Sequence, residues 1–308
     1  MSVTDRCNLR CRYCMPARGV SFVPHAELPS LEKLRAAVAW LVVRCGVDRV
    51  KLTGGEPLVR RGVVDLVRGL VGIPGVREVS MTTNGAGLAS LARPLADAGL
   101  ARVNVSLDSL DPERFATLTR GGDVAEVLSG VDAALAAGLV PLKLNAVLRA
   151  STWRVDVPEL LDFAAARGLE PRFIELMHTG TEAAWAAAEH VAASEVRVLL
   201  ERDGLLLPLP GPAAAPARRT LVRWHGTDLA VGWITPISHH FCGACDRLRL
   251  DARGRLRRCL MDPVTLPLVQ LLGSGRKDEA LSRVGGYLAA KVPPVAMDTA
   301  SPMVAIGG

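Results

Sequence analysis

The sequence predicts an α/β protein built on a parallel sheet. Two observations carry this: strand-like and helix-like patterns alternate from residue 30 to about 205, and glycines stand where the helices end. A third, the change of composition at Leu205 to Pro216, marks a loop or linker ahead of a shorter C-terminal part. A chain of 308 residues, 49% of them hydrophobic, can bury a large core and is too apolar to be disordered.

The elements follow in order. Ser30 suits an N-cap for a helix running to Cys45, with Leu34, Val38, Leu41, Val42 and Cys45 on its apolar face, so Cys45 reads as core. A strand at Arg49 to Leu52 comes next. Further strands are expected at Val76 to Thr82, Arg102 to Leu107, Leu142 to Leu148 and Pro171 to Met177. Helices fall near 88 to 98, 123 to 137, 156 to 167 and 193 to 203, and Gly46, Gly99, Gly138, Gly168 and Gly204 sit where left-handed C-caps belong. A β-then-α period makes the sheet parallel, and its reactive groups are expected at the carboxyl ends of the strands. Beyond the composition break, segments near 220 to 224 and 229 to 235 form a hairpin around Gly226. We place the division at 1–207 and 208–308.

Several function classes are excluded. The longest apolar run, Ala36 to Val43, is far too short to span a bilayer, and with the first cysteine motif so near Met1 we expect no signal peptide. Seven cysteines, six of which read as metal ligands rather than disulfides, suit a reducing cytoplasm, so we expect a cytoplasmic protein with no membrane partner. The net charge of +6 favours an anionic ligand. Basic residues are dispersed and aromatics make up 4% of the chain, which argues against nucleic acid and for a small phosphorylated substrate.

Chemistry concentrates in two cysteine triplets. Cys7, Cys11 and Cys14 form a C-x3-C-x2-C run, one thiolate short of the four ligands that a 4Fe-4S cluster takes. One iron would stay open to bind a small molecule. Structural zinc is the alternative, although zinc knuckles favour paired C-x2-C units. After the first full strand, Gly54, Gly55, Glu56 and Pro57 offer close backbone approach beside a carboxylate able to pair with an ammonium group. Thr82-Thr83-Asn84-Gly85 and Val105-Ser106-Leu107-Asp108 close the next two strands with polar groups. The second triplet, Cys242, Cys245 and Cys259, is spaced C-x2-C-x13-C. It reads either as a zinc ribbon completed by His239 or His240, or as a second cluster with a second open iron. Between its ligands, Arg247, Leu248 and Arg249 alternate so that two guanidinium forks point to one side, matching phosphate geometry.

The first triplet, with Tyr13 before its last cysteine, resembles the signature of the radical S-adenosylmethionine (SAM) enzymes. Adding Met15-Pro16, the Gly-Gly-Glu-Pro segment, Arg172-Phe173-Ile174-Glu175-Leu176-Met177, the second triplet and the terminal Gly307-Gly308, nearly the whole chain resembles the GTP 3′,8-cyclase family of molybdenum-cofactor biosynthesis. The resemblance implies an incomplete (βα)6 TIM-like radical SAM barrel with a C-terminal α+β domain, two 4Fe-4S clusters, and SAM as cofactor. It implies conversion of GTP to 3′,8-cyclo-7,8-dihydro-GTP, the first step of molybdopterin synthesis. It carries over Tyr13, Gly55, Glu56, Ser106 and Met177 as SAM contacts. Lys51, Thr82, Lys143, Arg247, Leu248 and Arg249 become GTP contacts. Arg247 and Arg249, with Gly307 and Gly308 of a tail reaching the active site, join the catalytic set.

A reducing donor such as flavodoxin or ferredoxin and a downstream cyclic pyranopterin monophosphate synthase are the implied partners, with a monomer or homodimer as the assembly. Within enzymes, a radical SAM enzyme acting on a peptide or another nucleotide is the alternative; outside them, a zinc- or iron-binding interaction protein. Three departures from the family stand out. The family carries a segment before Ser2 that includes a basic residue, it has Arg where Lys51 stands, and it has a polar Gly-Asn turn where Ala150 to Val157 run here.

Overall fold

The computed structural model describes residues 1–178, 182–203, 206–239, 242–260 and 262–291. Gly204, His240 and the tail with Gly307 and Gly308 lie outside the described residues. The chain alternates α1 (Leu31–Cys45), β1 (Arg49–Leu52), α2 (Val63–Val71), β2 (Glu78–Thr83), α3 (Leu88–Asp97) and β3 (Arg102–Ser106). It continues through α4 (Pro112–Thr119), α5 (Val124–Ala136), β4 (Lys143–Leu148), α6 (Trp153–Arg167) and β5 (Glu170–Glu175). Then come α7 (Ala183–Ala188), α8 (Ala193–Asp203), β6 (Leu206–Leu209), β7 (Arg218–Trp224) and β8 (Thr227–Ile234). A small hairpin, β9 (Arg249–Leu250) and β10 (Leu256–Arg257), precedes α9 (Leu268–Gly273) and α10 (Lys277–Ala289).

Local chemistry sets these boundaries. Ser30 Oγ accepts from Lys33 N at 3.4 Å, and Gly46 and Gly168 take the left-handed conformation as C-caps of α1 and α6. Gly99 and Gly138 are left-handed one residue beyond the caps Ala98 and Ala137. Five helices, α2, α4, α7, α9 and α10, fall outside the sequence expectation, and two of them show why. In α2, β-branched Val63, Val64, Val67 and Val71 read poorly as helix, yet Val63, Leu66, Val67 and Leu70 bury one face. At α4, Asp111 caps with Pro112 in the first turn, a local signal the periodicity overlooked. The expected linker at 205–216 is corrected in its first part. Leu206 to Leu209 form β6, which tolerates Pro208 because it lies at the edge of the sheet.

The sheet runs β1-β2-β3-β4-β5-β8-β7-β6, parallel from β1 to β5 and on to β8, then antiparallel. Ser2 adds a parallel bridge to Thr53, making a stub of a sixth βα-type strand at the open edge. This is the incomplete (βα)6 barrel, extended by a hairpin that turns at His225 and Gly226, both left-handed. Its outer face, including Leu52, Met81, Val103, Val105, Leu144 and Phe173, packs on the helices as the main core. A second cluster joins α1 to α9, α10 and the small hairpin through Leu34, Leu41, Leu250, Leu256, Leu268 and Leu271. Cys45 packs against this second cluster. No helix among the described residues is long and apolar enough to cross a membrane.

Candidate active site

The first triplet occupies a loop fastened on both sides. Leading into it, Gly55 N donates to Thr4 O and Glu56 N to Arg6 O, both at 2.7 Å, so the Gly-Gly-Glu segment runs directly against the loop's entry strand. A Cβ on Gly54 would lie 2.6 Å from Thr4 O, and one on Gly55 would strike the Arg6 carbonyl. The close approach that the two glycines permit is therefore to the cysteine loop's own backbone. On the far side, Arg10 N and Arg12 N donate to Thr119 O and Leu118 O. Arg120, left-handed at φ 57°, donates to Arg10 O and Met15 O, and Glu182 ties Arg120 to Arg12.

Glu56 is 1% exposed and engaged by protein. Its carboxylate accepts from Leu58 N, Thr83 Oγ and Asn84 N at 2.7 to 3.0 Å, instead of presenting itself to an ammonium group. Burial pushes it up to about 7. Asn84, thus held, reaches Asn8 Oδ1 at 2.8 Å and Cys7 Sγ at 3.8 Å. Tyr13 donates to Asp108 Oδ2 at 2.8 Å, while Asp108 Oδ1 accepts from Val147 N. Cys11 is raised well above the ordinary thiol value, by burial first and then by Cys14, Asp108 and Cys7. Its thiol therefore feels those of Cys7 and Cys14. Ser106 ends β3, and half-buried Met177 follows β5, on the same rim.

Register defines the lumen. Lys51 pairs with Ser80 and Ser80 with Arg102; Thr82 pairs with Asn104, then Lys143, then Glu170; Ser106 pairs with Asn145, then Arg172, Gly232 and Arg219. Paired residues share a face, so the inner surface carries Lys51, Arg102, Lys143, Arg172 and Arg219 against Glu78 and Glu170. The carboxylates are held by arginines, Glu78 by Arg102 at 2.6 Å and Glu170 by Arg172 at 2.7 Å and Arg219 at 3.3 Å. Among the described residues neither lysine forms an ion pair.

Lys51 is reached by water from the lumen yet sits deep among protein atoms. The depth governs its charge: burial, then Arg102, Arg172 and Lys143, bring it down to about 7. Burial, Arg172 and Arg102 bring Lys143 to about 8. Gly232 leaves room for this crowding, since a Cβ there would lie 2.9 Å from Arg172 Cγ. The expectation that every reactive group closes a strand is corrected here. Lys143 and Arg102 open their strands, and the cations line the lumen below the rim.

The second triplet meets this surface through the small hairpin. Ser2 N donates to Leu250 O at 2.8 Å, which docks β9 beside the open barrel edge next to β1. Cys242 opens a 3-10 turn, Cys245 follows it, and Cys259 follows β10. Cys242 is raised by burial and then by Cys259 and Cys245. For Cys245 burial pushes up, but the backbone and charge of Arg247 outweigh it and the thiol falls below its ordinary value. Arg249 is pulled down to about 10 by burial and then by Arg247, while Cys259 and Cys245 oppose the shift. Arg247 and Arg249 thus share one neighbourhood with the thiols, and Leu248 between them packs into the second apolar cluster.

Among the described residues no three Cys, His, Asp or Glu side chains converge tightly enough to hold a single metal ion. A cube of four irons takes one thiolate per iron and needs them farther apart than a zinc ion does. Within each triplet the thiols influence one another's charge, as ligands of one cluster would. Sequence reasoning missed Arg102 and Arg219, and gave Arg172 no role within the motif it opens, since all three need strand register to be placed; it also missed Arg120 and Glu182, which act from distant helices. Asn84 and Asp108 lay inside motifs it quoted.

Residues 1–164 match the Radical SAM superfamily and residues 169–293 match Molybdenum Cofactor Synthesis C. The chain is 49% identical over 268 residues to a GTP 3′,8-cyclase of Moorella thermoacetica, covering 84% of this chain and 80% of that one. It is 46% identical to GTP 3′,8-cyclase 1 of Pseudomonas aeruginosa over 88% of this chain and 82% of the relative. Among solved structures, Streptococcus suis SuiB bound to S-adenosylmethionine aligns with TM-score 0.52 at 17% identity. That match covers 66% of this chain and 45% of SuiB, under half its length, and speaks to the fold alone. The chain belongs to the GTP 3′,8-cyclase family of the radical SAM superfamily.

Proposed function

We propose that this chain converts GTP to 3′,8-cyclo-7,8-dihydro-GTP, the first step of molybdenum cofactor biosynthesis, using SAM and two 4Fe-4S clusters. The observation that carries the reading is the lumen, where cations outnumber carboxylates among the described residues, with a three-thiol loop at its rim and a second thiol set beside Arg249. Cys7, Cys11 and Cys14 would hold the first cluster, and Cys242, Cys245 and Cys259 the second. When bound, the first cluster supplies the electron that breaks a sulfonium carbon–sulfur bond of SAM.

The chain's own residues bind and orient. Tyr13, Gly55, Ser106 and Met177 frame SAM, and Glu56 acts through Thr83 and Asn84 to hold the loop. Lys51, Lys143, Arg247 and Arg249 take the triphosphate, joined by Arg102, Arg172 and Arg219, because a polyanion relieves their mutual repulsion. Thr82 offers a hydroxyl on the same face, and Leu248 fixes the hairpin so that its two arginines stay aimed. Held between rim and lumen, the reacting groups gain most of their rate from position and from exclusion of water.

A low-potential flavodoxin or ferredoxin supplies electrons in the cytoplasm, and a cyclic pyranopterin monophosphate synthase takes the product. Gly307 and Gly308 act late, turning SAM cleavage into product; their deletion should leave iron content and GTP affinity intact while product falls. The deciding experiment is an anaerobic assay with GTP, SAM and a strong reductant, with the nucleotide product identified by mass and NMR. SAM turnover with GTP recovered unchanged rejects the reading.

A further inference from the structure

Lys291 follows α10, and its Nζ donates to Cys245 O at 2.8 Å and Arg247 O at 2.8 Å, with Cys245 Sγ at 3.5 Å. An ammonium group has three donors and no acceptor. All three go to one segment of three residues, the one that carries the middle cysteine of the second triplet. A terminal lysine of a helix would ordinarily serve the helix's own last carbonyls; here Ala290 O accepts from Arg258 instead. Half-buried Lys291 is thereby spent on a loop far away in sequence.

We infer that Lys291 is a positioning residue for the second iron–sulfur cluster: it fixes the Cys245–Arg247 backbone and donates to a cluster thiolate, stabilising the bound and reduced cluster. This rests on the proposed assignment of Cys242, Cys245 and Cys259 as ligands. The physical case has two parts. The two carbonyl contacts fix the thiolate's direction without strain on the cysteine. A donor on a ligating sulfur disperses the negative charge of the cluster and raises its reduction potential.

The test uses the full chain, anaerobically reconstituted, as wild type, Lys291→Met, Lys291→Arg and Cys245→Ala. Iron release to a chelator, the reduction potential of each cluster by EPR-monitored titration, and the melting temperature of the apoprotein are measured. Wild type should bind about eight irons and Cys245→Ala about four. Lys291→Met should release the second set of irons about 10- to 100-fold faster than wild type, the usual cost of a lost supporting contact. Its second cluster should shift to a lower potential, with the first cluster's signal and the apoprotein melting temperature unchanged, and Lys291→Arg should recover most of both properties. Wild-type release and potential in Lys291→Met overturn the inference, as does an Arg variant no better than Met or release that merely follows a lowered melting temperature. If wild type holds only about four irons and Cys245→Ala keeps them, the ligand assignment falls and takes the inference with it.

Discussion

The rim of the barrel and its lumen are finished differently. At the rim, Glu56, Asp108 and Glu175 are buried carboxylates, and each is met by backbone or hydroxyl donors. Glu175, 0% exposed, accepts from Ala193 N, Ile237 N, Ser238 N and Ser238 Oγ, binding the end of β5 to the segment that leads into the second triplet. In the lumen, lysines face arginines and repel them. A satisfied network is rigid before anything binds, whereas a surplus of like charge is relieved by losing a proton or by an incoming anion. Scaffold and receptor can thus be told apart by asking where charge is left uncompensated.

The sharpest break between the two regions is expected from their cysteines. Cys11→Ala should abolish SAM cleavage, while Cys245→Ala should leave uncoupled formation of 5′-deoxyadenosine with no cyclised nucleotide, measured by chromatography of anaerobic reactions. Equal loss of cleavage in both would merge the two roles. Next, Arg249→Ala should weaken GTP binding by about 1.5 to 3 kcal/mol, a roughly 10- to 150-fold rise in Kd by calorimetry, with SAM affinity nearly unchanged. Gly55→Ala should do the reverse. Its methyl group meets the Arg6 carbonyl, so folding stability should fall by about 1 to 3 kcal/mol in denaturant titrations, with iron lost from the first site.

The smallest effect is a pH dependence confined to the lumen. Lys51 and Lys143 sit near 7 and 8, below the 10.5 of free lysine, and a bound triphosphate favours their protonated forms. Binding should therefore take up protons above pH 7, and GTP affinity should decline as pH rises from 7 toward 10. Calorimetry in two buffers of different ionisation enthalpy checks the uptake. SAM binding at the rim should show no such decline from these groups.

Much of this was legible in the sequence for local reasons. Ser30 and Gly46 bracket α1 because capping is a matter of a few neighbouring atoms, and the triplets announce themselves by spacing. What stayed hidden depends on distant partners. Arg102 and Arg172 look like ordinary strand residues until register sets them beside Lys51 and Lys143. Glu56 reads as a ligand-binding acid because the sequence cannot show that Thr83 and Asn84 already occupy it. Lys291 has no local signature, since its acceptors lie in another loop. The β6 edge was concealed by Pro208, which is forbidden in the middle of a sheet and tolerated at its border.

The hydrogen bond from Ser2 N to Leu250 O joins nearly the first residue to the last fifth of the chain. During synthesis this amide has no acceptor until Leu250 has left the ribosome, although Val3 and Thr53 can pair much earlier. The edge of the barrel beside the rim loop can therefore take shape while the small hairpin that docks on it is still being translated. The chain thus closes in a fixed order, the barrel edge first and the hairpin last.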